Sequence, residues 1–204
     1  MTKKYKIPII IISLLLIVIG VVGILYLTRN PDEEIIIENK DVISQYNYSL
    51  KENDSFVKEE KFNELKEILE ADEIDDTLYA ETLAEIFVID VFDLNSKLSK
   101  YDIGGLEYIY ENEKNKFKSI MQDTLYNSVE DNTLNKRNQE LPKVISVTSE
   151  DIIQSEYEID DTLFPSWNIK IKIDYKKDLG YDNSVLVTVI KDAEKLYVVE
   201  INPA

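Results

Sequence analysis

Residues Ile7 to Leu27 form a run of 21 positions without a charge, interrupted only by Pro8, Ser13, Gly20 and Gly23 among otherwise apolar side chains. No feature constrains the fold more. As a helix rising 1.5 Å per residue, the run is about 30 Å long, the hydrocarbon thickness of a bilayer. Pro8 falls in the first turn, where a missing N–H costs nothing, and Tyr5 and Tyr26 flank the run as interfacial aromatics do. Lys3, Lys4 and Lys6 precede it, whereas Arg29 alone follows before Asp32, Glu33 and Glu34. Positive charge stays in the cytoplasm, so the expected topology is single-pass in the plasma membrane, with the C-terminal bulk extracytoplasmic.

The competing reading is a cleaved signal peptide. Its apolar region should be shorter and should end in a small-x-small site. No alanine occurs before Ala71, and Gly20 and Gly23 are the only small pair in the run. The absence of cysteine excludes a lipoprotein signal. The anchor is therefore the expectation, with residues 1–29 as cytoplasmic tip and span.

The chain has 204 residues and a formal charge of −17, from 40 acidic and 23 basic side chains. Without Lys3, Lys4 and Lys6 the remainder carries −20, a field that repels nucleic-acid phosphates. No nucleic acid is expected as a partner, and a basic protein suits the surface better than an acidic one. Charge of this size also keeps an exported domain soluble. A chain with neither cysteine nor histidine has no disulfide framework, no Ser-His-Asp or Cys-His pair, and only carboxylates for zinc. With five glycines it contains no G-x-x-x-x-G-K-[ST] or G-x-G-x-x-G loop.

Residues 30–54 are polar and lack a sustained period apart from Ile35-Ile36-Ile37, and are expected to form a stalk. Asn47-Tyr-Ser and Asn53-Asp-Ser match the glycosylation spacing, a coincidence if the protein is bacterial. Residues 55–204 are the expected globular domain. Phe56, Phe62, Leu65, Ile68 and Leu69 mark one helix. Ala80, Leu83, Ala84, Phe87, Val91, Leu94 and Leu98 mark a second, over 77–100, apolar nearly all round in its middle and therefore central. Gly104-Gly105 is expected to end it. Phe117, Ile120, Met121, Thr124, Leu125 and Val129 mark a third helix, to about Asn132. After Pro142 the period changes to two. Val144 to Ile159 reads as one long or broken strand pair. Trp167 to Tyr175 alternates apolar and polar residues, and Val185 to Ile190 and Leu196 to Ile201 form a hairpin. Helices followed by antiparallel strands make an α+β domain.

Three helices before three or four long strands, with the amphipathic helix at 77–100, the break at Asp102-Ile-Gly-Gly105 and the ending Trp167–Tyr175, Val185–Ile190, Leu196–Ile201, resemble the nuclear transport factor 2-like (cystatin-like) superfamily. The resemblance covers residues 55 to 204 and rests on element order. With an N-terminal anchor, the arrangement is similar to the VirB8-like and TcpC-like assembly proteins of bacterial conjugation machines. That resemblance implies a cone of three helices on a curved sheet of three to four strands, and a scaffold with protein partners in a transfer or secretion assembly. Neither catalytic, cofactor-binding nor metal residues are assigned, and no cofactor is expected.

Some residues carry a second reading. Asp90 lies in the most apolar stretch of the central helix. The superfamily includes isomerases that use a pocket carboxylate, so Asp90 with one of the thirteen tyrosines is the enzymatic alternative. Burial would raise its pKa toward that of a general base. The other reading is a carboxylate at a helix seam, bonded to a lysine or tyrosine. A small-ligand site inside the cone is a further alternative. Asp72, Glu73, Asp75 and Asp76 lack the spacing and turn glycine of a calcium loop and read as capping acids. Trp167 reads as a core anchor.

Overall fold

The computed structural model describes residues 37–204, and the apolar run 7–27 lies outside them, as do residues 30–36. Among the described residues, no helix is long and apolar enough to cross a membrane. The domain is α+β. A hairpin of β1 (Asn39–Ile43) and β2 (Tyr48–Lys51) precedes helices α1 (Phe56–Leu69), α2 (Asp76–Phe92) and α3 (Lys114–Asp123). Four strands follow, β3 (Val144–Ile159), β4 (Thr162–Tyr175), β5 (Ser184–Asp192) and β6 (Lys195–Pro203). They pair in sequence order as an antiparallel sheet.

The alternation predicted for 167–175 is seen directly. Trp167, Ile169, Ile171 and Ile173 are buried, and with Val185, Val187, Val189, Leu196 and Val198 they form the sheet's inner face. Across that face lies α2, buried on nearly every side from Tyr79 to Phe92. The β3–β4 turn is two residues long, Asp160 and Asp161, both at positive φ, and short polar side chains tolerate that conformation best.

Several expectations are corrected. The segment 39–51, expected as stalk, is a strand pair whose Tyr46, Tyr48 and Leu50 are core residues. The Tyr48 hydroxyl donates to the Leu196 carbonyl at 3.0 Å and lies 2.7 Å from the Tyr79 hydroxyl, which also accepts the Leu196 N–H. With its own hydrogen spent on Leu196, Tyr48 accepts from Tyr79. This closed circuit joins the hairpin to α2 and to β6.

The central helix stops at Phe92 rather than near residue 100, and one 3-10 turn follows, Leu94–Ser96. The break returns Lys97 to Asp90; a continuous helix would carry residue 97 about 10.5 Å along the axis. The third helix ends at Asp123, not near Asn132. There the Thr124 hydroxyl bonds back to the Ile120 carbonyl, and the chain turns so that Tyr126 and Val129 enter the core. Val144 to Ile159 is a single strand with two register shifts rather than a strand pair.

Candidate functional site

Asp90 is the carboxylate that sequence reasoning singled out, so its surroundings decide what the interior can do. Lys97 Nζ lies 2.6 Å from Asp90 Oδ1 and Lys58 Nζ lies 3.2 Å from the same oxygen. Oδ2 accepts the Gly105 N–H at 2.7 Å. Lys58 also pairs with Asp54 at 2.9 Å, one turn away across the start of α1. Asp102 accepts the Leu98 N–H at 3.0 Å and faces Lys51 at 3.8 Å. The ion pairs and backbone bonds thus join β2, α1, α2 and the 94–105 connection around one buried centre.

The connection can approach this closely because residue 104 has no side chain. A Cβ there would sit 1.9 Å from the Asp90 carbonyl oxygen. Gly105 adopts φ +81°, a left-handed conformation natural to glycine. The Tyr126 hydroxyl completes the seam, donating to the Val91 carbonyl at 2.8 Å and accepting the Gly104 N–H at 3.1 Å. Gly104-Gly105 is therefore a packing device at the side of α2 rather than its stop.

The electrostatics run opposite to the general-base expectation. Burial by itself would raise the Asp90 carboxyl, but the Lys58 and Lys97 ammoniums, with Lys51 and the Lys97 hydrogen bond, hold it well below the usual carboxylate range. Burial is the largest influence on Lys58 and Lys97 and works against their charge, but Asp90 together with Asp54 and other nearby acids outweighs it, so both titrate above the ordinary lysine range. An ionised carboxylate that is only 6% exposed, with both oxygens engaged by groups from α1 and the 94–105 connection, fastens those elements to α2. Two nearby acids behave differently. Burial lifts Asp93 and Glu107 above their ordinary values.

The remaining singled-out residues are structural in geometry. Asp75 caps α2 by accepting the N–H groups of Thr77 (2.9 Å) and Leu78 (3.1 Å). Asp76 pairs with Lys191 at 2.5 Å. Among the described residues, no group of three or more acidic side chains is arranged to hold a metal ion. Trp167 is buried, and its indole N–H donates to Thr77 Oγ1 at 3.2 Å.

Among the surface clefts of the described residues, two are of interest, and neither was legible in the sequence because each combines segments distant along the chain. The larger, about 470 Å³, opens where the β1–β2 turn meets the β5–β6 turn and residues 107–114, with Tyr46, Glu107, Lys114, Asp192, Lys195 and Tyr197 in its lining. Lys195 Nζ lies 4.5 Å from the Tyr48 ring centroid and 5.1 Å from that of Tyr197, and donates to the Tyr46 carbonyl. Burial, with Lys114 nearby, lowers its pKa. The smaller, about 240 Å³, is an apolar groove between α3 and β6, floored by Phe117, Ile120, Val198 and Ile201. Asp90 lines neither.

No protein-family model, no curated protein and no solved structure matches this chain.

Proposed function

We propose that this protein is a membrane-anchored, non-enzymatic scaffold of a bacterial cell envelope that holds protein partners on an exported acidic domain, within a transfer or secretion assembly. The apolar run 7–27 with its lysine-flanked start anchors it, and the domain from Asn39 onward faces outward. The observation that carries the reading is the state of Asp90. The carboxylate in the most apolar stretch of the central helix is engaged by Lys58, Lys97 and the Gly105 N–H, an arrangement that fixes the shape of the domain instead of meeting a substrate. The order of three helices before an antiparallel sheet supports kinship with the nuclear transport factor 2-like superfamily and its VirB8-like and TcpC-like members. Fold alone fixes no activity, and the scaffold role rests on the ion-paired state of Asp90 and the charged exterior.

A second reading, a small-ligand-binding domain, is favoured by the cleft at Tyr46, Lys195 and Tyr197. It would use the domain's surface and leave Asp90 in its structural place.

Alkaline carbonate washing of membranes tests the anchor. The full chain stays in the pellet, and a variant lacking residues 1–29 passes to the supernatant. Release of the full chain by the wash contradicts the reading.

A further inference from the structure

The far end of the β3–β4 ribbon is built unlike the rest of the domain. β5 pairs with β4 only from Ser166 onward, opposite Ile190. Beyond that point, Glu156 to Ile159 and Thr162 to Pro165 pair only with each other, as a two-stranded arm around the Asp160-Asp161 turn. Such ribbons are marginal without something to pack on. Nearer its start, β3 is tied to α2 where Ser149 donates its N–H and hydroxyl to Glu85. Among the described residues, no strand pairs with β3 on its outer side.

The chemistry of the arm has one sign. From Val144 to Ile169 there are six acidic residues and neither lysine nor arginine. Glu156, Glu158, Asp160 and Asp161 are all exposed. Apolar side chains are interleaved with them, Ile153 at 57% and Leu163 at 58% exposure. By register, Ile153, Tyr157 and Phe164 share the face turned away from α2, because Gln154 and Trp167 on the other face both bond Thr77 of that helix. An open strand edge, an apolar row and an unbroken acidic border are the three things an added strand needs, and natural edges usually carry lysine to prevent it.

We propose that the outer edge of β3 from Ile152 to Ile159 is a docking site for a basic, apolar-alternating extended segment of a partner protein, which adds as a fifth strand. Charge complementarity selects this occupant. A second copy would set the acids of one β3 against those of another, in a chain already at −17, and like charges facing across a strand pair are unfavourable. The inference rests on the scaffold reading and gives its partner a chemistry.

The test uses the full chain in detergent micelles and a ten-residue peptide alternating lysine and valine, with a glutamate–valine peptide as control. The lysine peptide binds and slows hydrogen exchange of backbone amides between Ile152 and Ile159, whereas the control does neither. Raising salt from about 50 to about 300 mM weakens binding about tenfold. The triple reversal Glu156→Lys, Glu158→Lys, Asp160→Lys weakens it by about tenfold or more, and Ile153→Ser weakens it without changing charge. The same reversal on exposed acids along α1 and at its C-terminal cap (Glu60→Lys, Glu67→Lys, Glu70→Lys) leaves affinity within about twofold. Equal loss in the α1 variant, protection elsewhere, or no binding overturns the proposal. So does self-association of the wild-type chain that the arm variant abolishes, because the occupant is then a second copy. Failure of peptide binding in a chain that stays in the membrane pellet sinks only the docking site. Release from the pellet with peptide binding intact sinks only the anchor.

Discussion

Asp90, Lys58 and Lys97 form a buried arrangement in which each partner depends on the others. Replacing Asp90 by Asn keeps the shape but removes the carboxylate that both buried ammoniums pair with, leaving Asp54 as the ion-pair partner of Lys58. We expect a loss of about 3–5 kcal/mol in urea unfolding, the usual cost of breaking a buried pair from one side. An unchanged midpoint would show that the lysines find other partners. Gly104→Ala should be similarly damaging, through the 1.9 Å approach to the Asp90 carbonyl. The pH response separates the acids by sign. The folded pKa of Asp90 is depressed, so its contribution is complete at neutral pH and disappears only as pH falls below the ordinary carboxylate range. That of Glu107 is raised by burial, so its contribution is present at low pH and is lost as pH rises through the folded value. The variant Glu107→Gln should therefore gain on wild type at pH 7, and the gain should shrink toward pH 5. A pH-independent difference would remove this account of Glu107.

At the scale of elements, the hairpin β1–β2 is the largest departure from what the sequence suggests. Tyr46, Tyr48 and Leu50 do alternate with Asn47, Ser49 and Lys51, but this period-two run is only six residues long and is set among polar residues, too short to announce a core element on its own. Its burial comes from Tyr46, Tyr48 and Leu50 meeting α2 and β6, contacts invisible to a local window. Tyr48→Ala should cost about 3–5 kcal/mol in thermal or urea unfolding, a penalty that no stalk residue would carry. Elsewhere periodicity was enough. The alternation from Trp167 to Tyr175 and the hairpin from Val185 to Ile201 lie where period two places them, because one face is core and the other solvent. Helix ends were less legible. The stops of α2 at Phe92 and α3 at Asp123 are set by Lys97 and Tyr126 turning inward to polar partners, and apolar spacing does not encode such partners. For the same reason Asp90 could be found in the sequence as an oddity, but its two lysines could not. At its N-terminus, α2 depends on the Asp75 cap, and Asp75→Ala should lower stability by about 1 kcal/mol.

On the scale of the whole molecule, charge and hydrophobicity divide the chain into parts with different solvents. An uncharged stretch of 21 residues suits lipid, and the part that follows it, at −20, suits water. The proposed role depends on these parts lying on opposite sides of one membrane boundary. The chain contains no cysteine, so single thiols can report on that arrangement without background. Leu134, 73% exposed, is a site on the folded domain, and Thr2 is one on the short N-terminal tip. With a membrane-impermeant maleimide on intact cells, the account predicts that Leu134→Cys is labelled at once and Thr2→Cys only after the membrane is opened. Labelling of Thr2→Cys on intact cells, or protection of Leu134→Cys until permeabilisation, would contradict it.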